Sequence, residues 1–265
     1  MNGTVSLVIA LVSYGNAYLA SDDTNHILDF NNSTLIYNNS LIFTDKITVS
    51  KTGIIADSPQ QWFAYLKKSG CKKLKIYYRH SDDQSQFKDF ENEIFIGGGG
   101  VWMIEAVYNN YSKYWGFIQD VTKPKASDNR IWSIQFFISE HKPGAIKTLP
   151  INIAKSNLST ALTQIMDFAI KVNRRGWAEQ FEKAKKNLDD SNPVVDYYQD
   201  FIAPNTLPLQ AKQLLFSASL ADVFGGMGSW NDAWYDTKEE NDLNIKLSTD
   251  LFDRINEAIA AALNN

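Results

Sequence analysis

Ile131-Trp132-Ser133-Ile134-Gln135-Phe136-Phe137-Ile138-Ser139 divides into two alternating sets, and the set Trp132, Ile134, Phe136 and Ile138 is uniformly apolar. A period of two is that of a strand with one face on a core, so this segment predicts a β-strand with those four residues turned inward. Beyond Pro150 the period changes. Residues 158–172, 177–188, 209–224 and 251–263 repeat their apolar positions every three or four, which is helical spacing. Ser156, and Ser248 or Thr249, stand where N-caps belong, with Asp250 in a first turn, and Gly176 divides the first pair of helices.

Working toward the N-terminus, strands are expected at 5–14, 27–30, 34–37, 41–49, 73–78, 93–96, 101–108 and 114–118. The clusters Asn31-Asn32-Ser33 and Asn38-Asn39-Ser40 are expected as tight connections of an antiparallel meander. Ser58, Pro59 and Gly70 bracket one short helix carrying Trp62, Phe63 and Leu66 on one stripe. The expected class is therefore α+β: a mainly antiparallel sheet from the N-terminal half (1–150) packed against helices from the C-terminal half (151–265). A single domain over 1–265 is expected, since no Pro/Gly/Ser-rich linker intervenes and helices are needed to cover the sheet.

Thirty acidic residues outweigh 26 basic ones for a net charge of -4, so no global field draws the chain to a phosphate backbone or an anionic bilayer. Neither nucleic acid nor membrane is an expected partner. The apolar run 6–12 resembles the centre of a signal peptide, but it lacks preceding basic residues and is interrupted by Tyr14, Asn16 and Tyr18. A soluble cytoplasmic protein is expected, with secretion as the alternative, and no run is expected to cross a bilayer. Cys71 is expected as a small half-buried residue rather than a reactive thiol. His26, His80 and His141 are scattered and show no metal-ligand spacing, so neither a metal nor a cofactor is expected.

Gly97-Gly98-Gly99-Gly100 lacks the following Lys-Ser/Thr of a phosphate loop and reads as a hairpin connection. Lys72, Lys73, Lys75 and Arg79 are split between two faces by alternation. Arg174 and Arg175, with Lys171, stand near a helix end that favours positive charge without a partner. The densest chemistry lies in residues 221–235, where Gly225, Gly226 and Gly228 break a helical pattern just before Trp230, Asn231, Asp232, Trp234 and Tyr235. Asp222 sits at the unfavourable end of a helix dipole and calls for a compensating partner. Trp230 and Trp234, four apart, would share a face if a helix began there.

Asp222, Trp230, Asn231, Asp232, Trp234 and Tyr235 are thus the candidate binding residues. The expected function is non-catalytic recognition of another protein by an aromatic and acidic surface, one form being neutralisation of a basic protein. Two other classes stay open. A hydrolase of a sugar or other polar substrate would use Asp222, Asp232 and Glu105 as its carboxylates; Glu105 interrupts an apolar strand and is expected to face solvent or a cavity. A structural or assembly protein would pair through the N-terminal strand run.

Overall fold

The computed structural model describes residues 1–20, 26–47, 53–80, 89–92, 100–140 and 148–265. Its strands are β1 (Asn38–Thr44), β2 (Ile54–Ala56), β3 (Lys73–Arg79), β4 (Val101–Val107), β5 (Ser112–Val121) and β6 (Trp132–Ser139). They form a six-stranded sheet in the order β2-β1-β6-β5-β4-β3. Helices α4 (Ile151–Lys171), α5 (Arg175–Asn187), α6 (Leu209–Ala221) and α7 (Lys238–Asn264) follow, so the class is α+β as the change of period implies. Ile134 and Phe136 of β6 are buried as expected, while Gln135, on the opposite set, is buried through a hydrogen bond from its Nε2 to Thr44 Oγ1 (2.9 Å).

The pairing is antiparallel except at one seam. β1 runs parallel to β6, with Leu41 opposite Ile134 and Phe43 opposite Phe136, which corrects the expected all-antiparallel meander. The meander fails because residues 26–37 contain no strand: 27–30 and 34–37 form successive turns, and Asn38-Asn39-Ser40 opens β1 instead of connecting two strands. Asp29 and Asn32 use their side chains on backbone N–H groups two residues on, which holds turns against extension.

The largest correction concerns the N-terminus. Residues 5–14, expected as a strand, belong to the helix α1 (Gly3–Ala20). This helix is apolar nearly all round, so it has no amphipathic period, and a run of Val, Ile and Leu buried on every side reads alike as strand or helix. Its polar residues are satisfied individually: Ser6 Oγ donates to Asn2 O (3.1 Å), Ser13 Oγ accepts from Ala203 N–H (3.0 Å), and Tyr14 Oη donates to Asp200 O (3.0 Å). As a helix, the run has no strand edge with which to assemble. By length and composition α1 is apolar enough to cross a bilayer, contrary to expectation, and in this fold its residues belong to the central core.

α1 packs on β3, β4, α2 (Pro59–Lys68) and α7. Gly15 makes the approach to β3 possible: a Cβ there would stand 2.4 Å from Leu74 Cδ1 and 2.9 Å from Phe63 Cε1. α2 forms as its signals indicate, with Ser58 Oγ accepting from Gln61 N–H, Pro59 in the first turn, and Gly70 at φ +84° after the last. Its Trp62 stacks on Phe43 of β1 (centroids 4.4 Å apart) and meets Trp115 of β5 edge-on at 5.3 Å. The buried apolar residues of both halves form one contiguous cluster.

Three helix starts differ from expectation. α4 begins at Ile151 rather than 158, after Pro150 and without a side-chain cap; the polar face of its first two turns masks the period. α6 ends at Ala221 rather than at Phe224. α7 begins at Lys238, where Thr237 Oγ1 accepts from Glu240 N–H (3.2 Å), so Ser248, Thr249 and Asp250 are interior and none is a cap. The expected strand 93–96, Gly97 to Gly99, Asp82, Asp83 and His141 lie outside the described residues. Cys71 is buried, and burial pushes its thiol up to about 11, as befits an inert packing residue.

Candidate functional site

The break after α6 is built outward from Trp230. Its ring is fully buried, with edge contacts to Trp177 (5.9 Å), Phe181 (5.3 Å) and Phe168 (6.4 Å), and its Nε1 donates to Ser248 Oγ at 2.8 Å. Trp230–Asp232 form a single 3₁₀ turn. Gly225 (φ +155°) and Gly228 (φ +84°) supply the backbone conformations that bring the chain there, and Gly228 N–H donates to the Asp232 carboxylate. Asn231 Nδ2 donates to Phe90 O (2.7 Å), binding the corner to the short helix α3 (Asp89–Asn92).

Past that turn the chain faces outward. Trp234 is 84% exposed, so Trp230 and Trp234 do not share a face: the turn ends at Asp232 before a helical face can form. Its carbonyl nevertheless accepts from Arg174 Nη2 (3.4 Å), and the next carbonyl, of Tyr235, accepts from Asn241 Nδ2 (2.9 Å). Tyr235 turns back inward against Phe168, and burial above all pushes its phenol up to about 12. Met227 is fully exposed, and Asp232, Asp236, Glu239 and Asp242 are exposed around these two apolar side chains.

Asp222 serves a different place. As the residue after α6 it accepts from Asn2 N–H at Oδ2 (3.4 Å) and lies 3.9 Å from the Met1 ammonium, which is the compensating partner its position calls for. It also lines a cleft of about 640 Å³ together with Arg174, Arg175, Gly176, Trp177, Asp196 and Tyr197. Neither Asp232 nor Glu105 stands on that wall. Glu105 is buried in β4, which corrects its expected exposure; Tyr114 Oη donates to its Oε1 (3.3 Å), and burial with a hydrogen bond to Glu105 raises the Tyr77 phenol. The three carboxylates therefore do separate work: Asp222 at a helix end, Asp232 inside a loop, Glu105 among sheet tyrosines.

Sequence reasoning passed over two features. The first is the basic pair: Arg174 and Arg175 open α5 rather than close α4, and the signal was Gly176 directly after them. The second is His80, whose Nδ1 lies 2.9 Å from Asp89 Oδ2 while Nε2 lies 3.6 Å from Asp253 Oδ1. These partners come from α3 and α7, so adjacency to Asp82 and Asp83 was uninformative. His80, Asp253, Asn256 and Glu257 line a second cleft of about 420 Å³. Among the described residues no group of three or more His, Cys, Asp or Glu could hold a metal ion.

Neither a family model, nor a curated protein, nor a solved structure matches this chain, so the functional reading rests on the geometry of these sites.

Proposed function

We propose that the protein recognises another protein through the corner Gly225–Tyr235, with Trp234 as the anchor. The observation that carries this reading is the combination at Trp234: a side chain 84% exposed on a backbone fixed by hydrogen bonds on both sides. A tryptophan held out on a rigid support buries a large amphipathic ring on contact at little cost in ordering, which is the property of interface anchors. Met227 supplies a second apolar contact, and Asp232, Asp236, Glu239 and Asp242 surround the pair with negative charge. That arrangement fits a basic partner, which the acidic rim steers and the apolar centre holds.

The test compares the tagged chain with its Trp234→Ala variant, each recovered at low salt from the cells that make the protein. A basic protein retained by the first, reduced roughly thirtyfold or more by the substitution and released as salt rises, supports the proposal. Equal retention by both chains, or retention of no basic protein, rejects it.

A further inference from the structure

The cleft beside this corner has a chemistry of its own. Helix α5 starts at Arg175 with no side-chain cap, and the backbone N–H groups of Arg175 and Gly176 precede the first intrahelical bonds, which Trp177 and Ala178 make to Arg174 O. The positive end of a 13-residue helix thus opens on a wall that also carries the exposed guanidinium groups of Arg174 and Arg175. Gly176 leaves open space where a Cβ would stand, so an anion can approach the backbone closely.

An independent observation concerns the opposite wall. Asp222 lines the same cleft with a side chain only 8% exposed, and while its Oδ2 faces Asn2 and Met1, its buried Oδ1 accepts no hydrogen bond. A buried carboxylate oxygen without a donor carries a desolvation cost that a ligand N–H would relieve. Trp177 and Tyr197 add aromatic surface on which a planar ring can stack.

We propose that this cleft binds a nucleoside phosphate. The phosphate sits on Arg174, Arg175 and the amides that open α5; the base lies against Trp177 or Tyr197 and gives an N–H to Asp222. The volume of about 640 Å³ is in the range of small-molecule sites. A phosphorylated tyrosine side chain would satisfy the anion and stacking elements equally well, but its ring has no N–H edge for Asp222, so the nucleoside is favoured.

The test is calorimetric titration of the intact protein with guanosine monophosphate, phenyl phosphate and inorganic phosphate. Guanosine monophosphate is expected to bind about tenfold or more tightly than either of the others. Arg174→Ala with Arg175→Ala is expected to weaken it by about tenfold or more, and both side chains are exposed, so the fold should survive. Asp222→Asn, checked for an unchanged melting temperature, is expected to bring guanosine monophosphate to the level of phenyl phosphate. Equal binding of guanosine monophosphate and phenyl phosphate to the unaltered protein, equal binding of all three, or no effect of removing the two arginines overturns the proposal; so does the absence of measurable binding.

Discussion

Asn264 makes with Ile76 the pair of hydrogen bonds that a neighbouring strand would make: its Oδ1 accepts from Ile76 N–H and its Nδ2 donates to Ile76 O, each at 2.9 Å. Two residues earlier, Asn16 does the same for Leu74, at 2.7 and 2.9 Å. β3 is the last strand of the sheet order, so these carboxamides, one from α1 and one from α7, occupy the edge that another chain would otherwise pair with. Asn16→Ala and Asn264→Ala are each expected to cost about 1–3 kcal/mol in denaturant unfolding, and the double variant should associate as its concentration is raised. A double variant that remains monomeric by sedimentation would show that something other than these side chains guards the edge.

Gly15→Ala sets two effects of opposite sign against each other. Alanine in a helix interior gains about 1 kcal/mol over glycine. The added methyl, however, would stand 2.4 Å from Leu74 Cδ1 and 2.9 Å from Phe63 Cε1, both on fully buried side chains with no room to withdraw. Overpacking of that kind costs about 1–3 kcal/mol, so a net loss of stability is expected. A gain in melting temperature would mean that α1 sits less tightly on β3 than the structure indicates.

The two tryptophans of the corner should behave oppositely. Trp230→Ala removes a fully buried ring and strands the Ser248 hydroxyl, for an expected loss of about 3–5 kcal/mol. Trp234→Ala should change stability by less than about 0.5 kcal/mol while abolishing partner binding. If Trp234→Ala also destabilises strongly, its ring is a structural element and the recognition proposal loses its anchor.

His80 gives the fold a pH dependence near neutrality. The hydrogen bond with Asp89 raises its imidazole above the ordinary value; burial opposes this, and the charges of Asp253 and Asp89 add to it. A raised value in the folded state contributes stability that is complete below the unfolded value of about 6.5 and is lost as pH climbs through the folded one. Asp253, also raised, chiefly by burial, acts in the same sense but from the acid range. The melting temperature is expected to fall from pH 6 to pH 8, and His80→Gln should flatten that slope. Identical slopes for the two proteins would separate His80 from the effect.

What could be read in advance was local. Ser58, Pro59 and Gly70 mark α2 because each acts on its own backbone, and the alternation of 131–139 marks β6 because one face of a sheet is buried. α1 was not legible: Val8, Ile9 and Leu11 suit either structure, and the choice is made by Leu74 and Phe63, distant in sequence. The start of α7 was legible and missed, since Thr237 and Glu240 have the spacing of a capping box. At the site, the compensation of Asp222 could be anticipated from the helix dipole but not its source in Met1, and the opposed directions of Trp230 and Trp234 depend on a turn too short for helical spacing to apply.

The burial of α1 also bears on how the chain is made. Its contacts reach forward to Asp200, Ala203, Asp222 and α7, so the most apolar segment leaves the ribosome long before the residues that enclose it. At ordinary rates of synthesis that interval is on the order of ten to forty seconds. During it α1 is a naked hydrophobic helix, the kind of segment that chaperones and membrane-targeting factors seize. The abundance of the finished protein is then set by which of those arrives first, and by whether α7 is completed in time to close over the helix.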